Sequence, residues 1–437
     1  MYGFPGPAAQ DVLDLNERYY AKTTISSRIV PHIGRGAIVT DIDGYNFIDL
    51  DCGAGVNNLG HCHPEIVEAS CDQAKILGFA EHHNGPNWYG ANLAMELATK
   101  SPVAMYRNEY PKVFLSSTGT ETNEAALKLC RNHRLYVSKE PNRTRAIYFK
   151  NGFAGRTRGS LVATSSKPAW QRDPFWDFQD QINTKYLPYP RESHDWNELK
   201  KEFDGLNLAE YDHILMEVPV QGEGGIFPVD ESALKYIYEK AKDADVIFIS
   251  DCVQTGLGRV GTLFGCDIFD WFHPDILTLS KALGGGDTPI GATIFRRDLD
   301  WVESKMHSNT WGGGPKASRV ALTALRVVKE IIEEGRIEKI THILDKRLRE
   351  LYQYKCVEDV RGKGAMWGVE FSKTAIRDEI VKRGEELVLE EDYGLKLLSA
   401  GNEINDNVIR IMPPLIISDD LLNLAIDLLH KVIRTLA

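Results

Sequence analysis

The chain is short of several features, and each shortage excludes a class of protein. No apolar run approaches the roughly 20 residues that a membrane-spanning helix needs, so no membrane partner is expected. Its start, Met1-Tyr2-Gly3-Phe4-Pro5, has neither a basic n-region nor an apolar h-region and does not read as a signal peptide. Positive charge is in deficit: 51 Lys and Arg against 62 Asp and Glu leave a net −11. Binding nucleic acid needs a basic face, so no nucleic-acid partner is expected either. The 7 cysteines are odd in number and include no Cys-x-x-Cys pair. They read as buried, reduced thiols in a cytoplasmic chain and not as a disulfide framework. Internal repeats and low-complexity stretches are absent. What is present is ample core material: 437 residues, 43% hydrophobic and 9% aromatic, enough to offset chain entropy. At about 150 residues per domain, this length suggests two or three domains, or one large α/β domain with an appendage.

The centre of the chain alternates short β-branched runs with helical patterns, the mark of a mostly parallel sheet with crossovers. Strands are expected at Lys112–Ser117, Ala146–Lys150, His213–Val220, Val246–Ser250, Ile276–Leu279 and Ala292–Arg296, with helices clearest at Glu124–Arg134 and Glu231–Ala244. The region from Ser165 to Gly205, rich in Trp and Pro (Trp170, Pro174, Trp176, Pro188, Pro190, Trp196), reads as a long packed loop over a site. From Ser318 the pattern changes to long amphipathic helices, Val320–Glu334, Ile337–Tyr354, Arg377–Glu391 and Asp419–Leu436, interrupted by strand-like Met366–Phe371 and Val408–Met412. Near the start, Asp43-Gly44 between Ile38–Asp41 and Tyr45–Leu50 signals a hairpin. The expected division is a small α+β domain from 1–70 and 316–437, beside a large α/β domain over 71–315.

Ligands of open parallel sheets bind beyond the carboxyl ends of the strands, so the residues that follow each strand matter most. Lys112–Ser117 is followed by Thr118-Gly119-Thr120-Glu121, whose small residues at a helix start suit a phosphate. Taken alone, Thr118-x-x-Glu121 is an ordinary capping box. Next come Asn151-Gly152-Phe153-Ala154-Gly155-Arg156-Thr157, and then Gln221-Gly222-Glu223-Gly224-Gly225 with Glu217 inside the preceding strand. Asp251 with Val253-Gln254, and Ser280-Lys281 before Ala282-Leu283-Gly284-Gly285-Gly286, complete the set. An anion loop, an aromatic, a carboxylate, an amide and a lysine thus fall at one end of one sheet. Pyridoxal 5'-phosphate asks for that combination: a lysine for a Schiff base, an acid for the pyridine nitrogen and a cup for the phosphate.

These motifs resemble the class III (ornithine/4-aminobutyrate-type) aminotransferases, of PLP-dependent transferase fold type I, from Gly34-Arg35-Gly36 to Pro413-Pro414-Leu415. Ser280-Lys281-Ala282-Leu283-Gly284-Gly285-Gly286 with Pro289-Ile290-Gly291-Ala292 is similar to the lysine signature, and Asp251-Cys252-Val253-Gln254-Thr255-Gly256 to Asp-Glu-Val-Gln-x-Gly, with Cys252 in place of Glu. The resemblance implies that Lys281 is the Schiff-base lysine and proton shuttle, that Asp251 pairs with the pyridine nitrogen and that Gln254 lies near the ring hydroxyl. Phe153 would stack on the ring, Gly119 and Thr120 would hold phosphate, and Thr310 would reach the phosphate of a neighbouring subunit. A homodimer with shared active sites follows, and a dimer of dimers is compatible with it. Arg410 would clamp the α-carboxylate of the acceptor, Glu223 would neutralise Arg410 when the substrate lacks one, and Arg156 would bind a distal carboxylate. Ala154 departs from relatives, which place His or Trp there.

The implied activity is ping-pong transfer from an ω-amino donor such as 4-aminobutyrate or ornithine to a 2-oxo acid, 2-oxoglutarate foremost. A racemase, epimerase or decarboxylase of the same family would share the same lysine, acid and phosphate cup, and a non-catalytic binding protein could retain them too. Gly256-x-Gly258-x-x-Gly261 fits the dinucleotide pattern but lacks a following amphipathic helix and a placed acid. His61-Cys62-His63 with His82-His83 lacks a clear fourth ligand, so no metal is expected.

Overall fold

The computed structural model describes residues 3–23, 27–175, 183–401 and 406–436. Its strands, in chain order, are β1 (Pro31–Arg35), β2 (Ile38–Asp41), β3 (Asn46–Asp49), β4 (Lys112–Ser116), β5 (Arg145–Phe149), β6 (Thr184–Leu187), β7 (Tyr211–Glu217), β8 (Val220–Gln221) and β9 (Phe227–Pro228). They continue with β10 (Ile247–Asp251), β11 (Ile276–Leu279), β12 (Gly291–Phe295), β13 (Val357–Lys363), β14 (Met366–Phe371), β15 (Gly394–Lys396), β16 (Leu398–Ala400) and β17 (Val408–Ile411).

A seven-stranded sheet of order β4-β12-β11-β10-β7-β5-β6 forms the centre. Its strands run parallel except β12, which is antiparallel to β11 and β4. Every residue of β10, β11 and β12 is buried, as expected where both faces of a sheet are covered and the strand reads as an unbroken apolar run. The large apolar core continues from this sheet into the C-terminal helices without a break.

The expected strands are present with ends shifted by a residue or two, apart from His213–Val220. There the main sheet stops at Glu217, a cis Val218–Pro219 peptide follows, and Val220–Gln221 pairs instead with β9. Proline has no N–H to give a sheet ladder, so the strand ends before it. The region from Ser165 to Gly205 also differs from the expected long loop. It holds the short helix Pro168–Gln171, edge strand β6 paired with β5, and the helix Asn197–Asp204, which buries Leu199 and Phe203. Residues 176–182, Trp176 among them, lie outside the described residues.

At the C-terminal end, helices Pro315–Glu333, Arg336–Arg349, Thr374–Glu386 and Asp419–Arg434 pack with an antiparallel sheet of order β13-β14-β17-β16. The hairpin β2–β3 is joined by β15, whose Leu395 pairs in parallel with Ile48, so the two ends of the chain share one sheet. The tip of that hairpin serves a second purpose: the Asp43 carboxylate accepts from the Ala8 and Ala9 N–H groups at 3.0 and 2.7 Å, anchoring the start of helix Pro7–Tyr19. No helix among the described residues is long and apolar enough to cross a membrane.

Candidate active site

At the carboxyl ends of the central strands, Asp251 closes β10 and Glu217 closes β7 as registered neighbours, while Lys281 follows β11. Lys281 has φ +47°, a left-handed turn immediately out of the strand, the kind of backbone strain that gathers at functional positions. With Gly119, Thr120, Phe153, Arg156, Glu223, Gln254 and Arg410, these side chains line a cavity of about 560 Å³. That volume falls within the range of cofactor sites. Of the residues singled out from sequence, Thr310 alone does not line it: Thr310 is exposed.

The floor is held by hydrogen bonds. Asp251 accepts from the Val253 N–H at 3.0 Å through Oδ1 and from Asn123 Nδ2 at 2.8 Å through Oδ2. Asn123 also donates to the Ala154 carbonyl at 2.8 Å and accepts from Thr278 Oγ1 at 3.1 Å. Burial raises the Asp251 pKa above the ordinary carboxylate value, against the pull of those donors and Lys281. An acid held this way can pair with a pyridinium N–H. Burial likewise brings the Lys281 amine down to about 8, with Arg410 adding to the effect and Glu223, Asp251 and Glu217 opposing it. An amine near that value is available as a nucleophile and as a proton carrier near neutrality.

At the other end of the cavity, Thr118-x-x-Glu121 caps the helix that starts at Gly119. Thr118 Oγ1 accepts from the Glu121 N–H at 3.3 Å and Glu121 accepts from the Ser117 N–H at 2.8 Å, while Gly119 and Thr120 face the cavity. A Cβ on Gly119 would lie 2.9 Å from Val253 Cγ1. Gly155, at φ +135°, would place one 2.1 Å from Thr120 Oγ1. The backbone here is therefore cleared of side chains at the start of an α-helix, where N–H groups can meet an anion. Thr120 Oγ1 also lies 2.7 Å from Ser160 Oγ.

Arg410 of β17 enters from the small sheet, donating from Nη1 to Glu223 Oε2 at 2.9 Å and from Nη2 to the Ser399 carbonyl at 2.8 Å. Burial opposes ionisation of Glu223, but Arg410, Lys281 and Arg156 together hold its carboxylate below the ordinary value. Arg156 is exposed, with its guanidinium 4.9 Å from the centre of the Phe153 ring. Gln254 donates to the Ala54 carbonyl at 3.0 Å. Asn123 and Glu217 are among the lining residues that carry no role in the sequence reading. Asn123 lies four residues after Gly119, on the same helix face, and that spacing is the signal that finds it. Gly258 and Gly261 sit in a loop that closes on itself, where the Gly258 N–H donates to the Thr262 carbonyl, and only a single 3-10 turn, Cys266–Ile268, follows before β11. Among the described residues, no group of three His, Cys, Asp or Glu side chains is placed to hold a metal ion.

A buried lysine, a pinned acid and a cleared helix start at one sheet edge fit pyridoxal 5'-phosphate, and fold and site together define a protein built to use it. The chain matches the class III aminotransferase family model over residues 19–433 and belongs to that family. It is 34% identical over 424 residues to the acetylornithine aminotransferase of Methanocaldococcus jannaschii, spanning 96% of this chain and 97% of that one. It is 31% identical to the ornithine aminotransferase of Plasmodium yoelii yoelii, spanning 97% and 96%. The crystal structure of the ornithine aminotransferase of Toxoplasma gondii superposes with a TM-score of 0.85 at 28% identity, over 99% of this chain and 96% of that one.

Proposed function

We propose that this aminotransferase takes its amino group from an ω-amine of the ornithine or 4-aminobutyrate kind and passes it to a dicarboxylic 2-oxo acid, 2-oxoglutarate foremost. The observation that carries the reading is the Arg410–Glu223 pair at 2.9 Å on the wall of the cavity that holds Lys281. A guanidinium fork suits a carboxylate, and Glu223 fills that fork when the incoming amine brings none beside its reacting carbon. An acceptor with an α-carboxylate displaces Glu223 and takes its place on Arg410. Arg156, across the cavity, receives the far carboxylate. Relatives named for ornithine and acetylornithine support a terminal amine as donor.

Bound pyridoxal phosphate supplies an electron-withdrawing ring that makes the carbon bearing the amine acidic. Asp251 keeps the ring nitrogen protonated, its own carboxyl fixed by Asn123 and the Val253 N–H. Gly119 and Thr120 would hold the cofactor's phosphate, and Phe153 would stack on its ring. Lys281 first anchors the cofactor, then moves the proton to and from the donor carbon. Thr310, exposed on its own chain, serves the phosphate of a second subunit in a homodimer. Five of the seven free cysteines are buried as expected, but Cys62 and Cys71 are exposed, and free exposed thiols support a reducing, cytoplasmic compartment.

The test is a half-reaction screen, in which single amines are mixed with holoenzyme and the cofactor's absorbance is followed. ω-Amines should convert it stoichiometrically, and 2-oxoglutarate should restore it. Racemisation of an L-amino acid without stoichiometric conversion refutes the reading.

A further inference from the structure

Glu217 lines the cavity and the steps above give it no task. Its Oε1 accepts from the Phe153 N–H at 3.0 Å and its Oε2 from the Gly222 N–H at 2.9 Å. Those N–H groups belong to the two loops that build the substrate end: one carries Phe153 and Arg156, the other Glu223. The loops also meet behind the cavity, where Gln221 Nε2 donates to the Lys150 carbonyl at 3.0 Å and a Cβ on Gly224 would lie 2.7 Å from that of Asn151. On the cavity side, Glu217 is the tie between them.

We propose that Glu217 is a positioning residue that locks the Phe153–Arg156 segment to the Glu223 turn, so that Glu223 leaves and rejoins Arg410 by side-chain rotation alone. The inference rests on the acceptor reading of Arg410. With the Gly222 N–H fixed, the main chain one residue before Glu223 cannot follow the departing carboxylate, and Arg156 keeps its distance from Arg410. An acceptor that bridges both arginines depends on that distance. A donor amine without an α-carboxylate leaves the Arg410–Glu223 pair closed and does not depend on it.

The groups facing Glu217 are Asp251 from β10, Lys281 after β11, and the Tyr189 hydroxyl, which donates to the Glu217 carbonyl at 2.8 Å. The buried Cys252 thiol lies beyond, against the Val218 carbonyl. Burial and Asp251 push the Glu217 carboxyl up to about 8, against the two N–H bonds and Lys281.

The experiment uses holoenzyme of the wild type, Glu217→Gln and Glu217→Asp, each checked for native melting. It measures equilibrium binding of glutarate, an unreactive dicarboxylate, by calorimetry, and the donor and acceptor half-reactions separately. Gln cannot accept both N–H bonds and Asp is too short to reach both, so each should weaken glutarate and 2-oxoglutarate about tenfold, while the donor half-reaction, which feels the change only through Phe153, should slow by a clearly smaller factor. Equal changes in both half-reactions, or none in either, overturn the proposal while leaving the acceptor reading intact. A wild type that no dicarboxylic 2-oxo acid can restore overturns the acceptor reading and this role with it.

Discussion

On the cavity floor, Asp251, Asn123 and Thr278 bond to one another at 2.8 and 3.1 Å from neighbouring positions of one sheet and the helix packed on it. At the substrate end, Arg156, Glu223 and Arg410 come from three separate segments, and Glu223 meets Arg410 across 187 residues of chain. All three floor groups are buried, whereas Arg156 is exposed and Glu223 is half-buried. The contrast separates two tasks. On the proposed reading, the floor has one fixed geometry and acts on the cofactor, which is common to both half-reactions, whereas the Arg410–Glu223 pair of the substrate end opens and closes and acts only on what the substrate carries beyond its reacting carbon.

Substitutions on the floor should therefore harm both half-reactions equally. The largest effect is expected for Lys281→Ala, which removes the proton carrier: both half-reactions should slow by about 10⁴-fold or more in stopped-flow absorbance. Asp251→Asn keeps the shape and removes the charge. It should slow both by about 10²- to 10³-fold, the usual cost of removing one fixed electrostatic partner. A half-reaction spared by either change would break the comparison, because it would mean that the floor is not shared.

Arg410→Ala sharpens it from the other side. The acceptor half-reaction should lose about 100-fold in kcat/KM, as befits removal of a buried, hydrogen-bonded cation. Glu223, deprived of the cation that keeps its carboxylate below the ordinary value, should take up a proton more readily. Donor amines without an α-carboxylate should react within about threefold of the wild type, because they never use the fork. An equal loss on both sides would place Arg410 with the floor.

The same division governs how much could be read from sequence. Strand β11 was expected at Ile276–Leu279 and lies there, because an apolar run closed by Ser280-Lys281 has no competing pattern. Lys281 and Asp251 share that legibility, since one follows and the other closes a wholly buried strand. Strand β13, by contrast, escapes the pattern: Glu358, Asp359 and Arg361 interrupt its apolar positions, and its pairing with β14 is what makes it a strand. Strand β6 and the helix Asn197–Asp204 escape because Trp and Pro around them mimic a loop. The meeting of Arg410 with Glu223 depends on how β17 approaches the large sheet, which no local spacing encodes, and it was suggested by resemblance alone. Glu217 was seen in its strand, but its grip on two loops depends on the chain turning after it.

The smallest effect is expected at the edge of the substrate end, and it tests whether exposure scales the contribution. Arg156→Lys keeps the charge and exchanges a planar guanidinium, 4.9 Å from the Phe153 ring centre, for a compact ammonium. An exposed cation–aromatic contact is worth about 0.5–1 kcal/mol, so the loss should be only a few-fold in kcat/KM. It should appear with acceptors that carry a second carboxylate and vanish with pyruvate, which has none to offer Arg156. Steady-state kinetics with 2-oxoglutarate and pyruvate on wild type and variant decide it. A loss as large as that of Arg410→Ala would mean that Arg156 is covered in the working enzyme, and the line between fixed floor and open substrate end would then lie further out than the single chain places it.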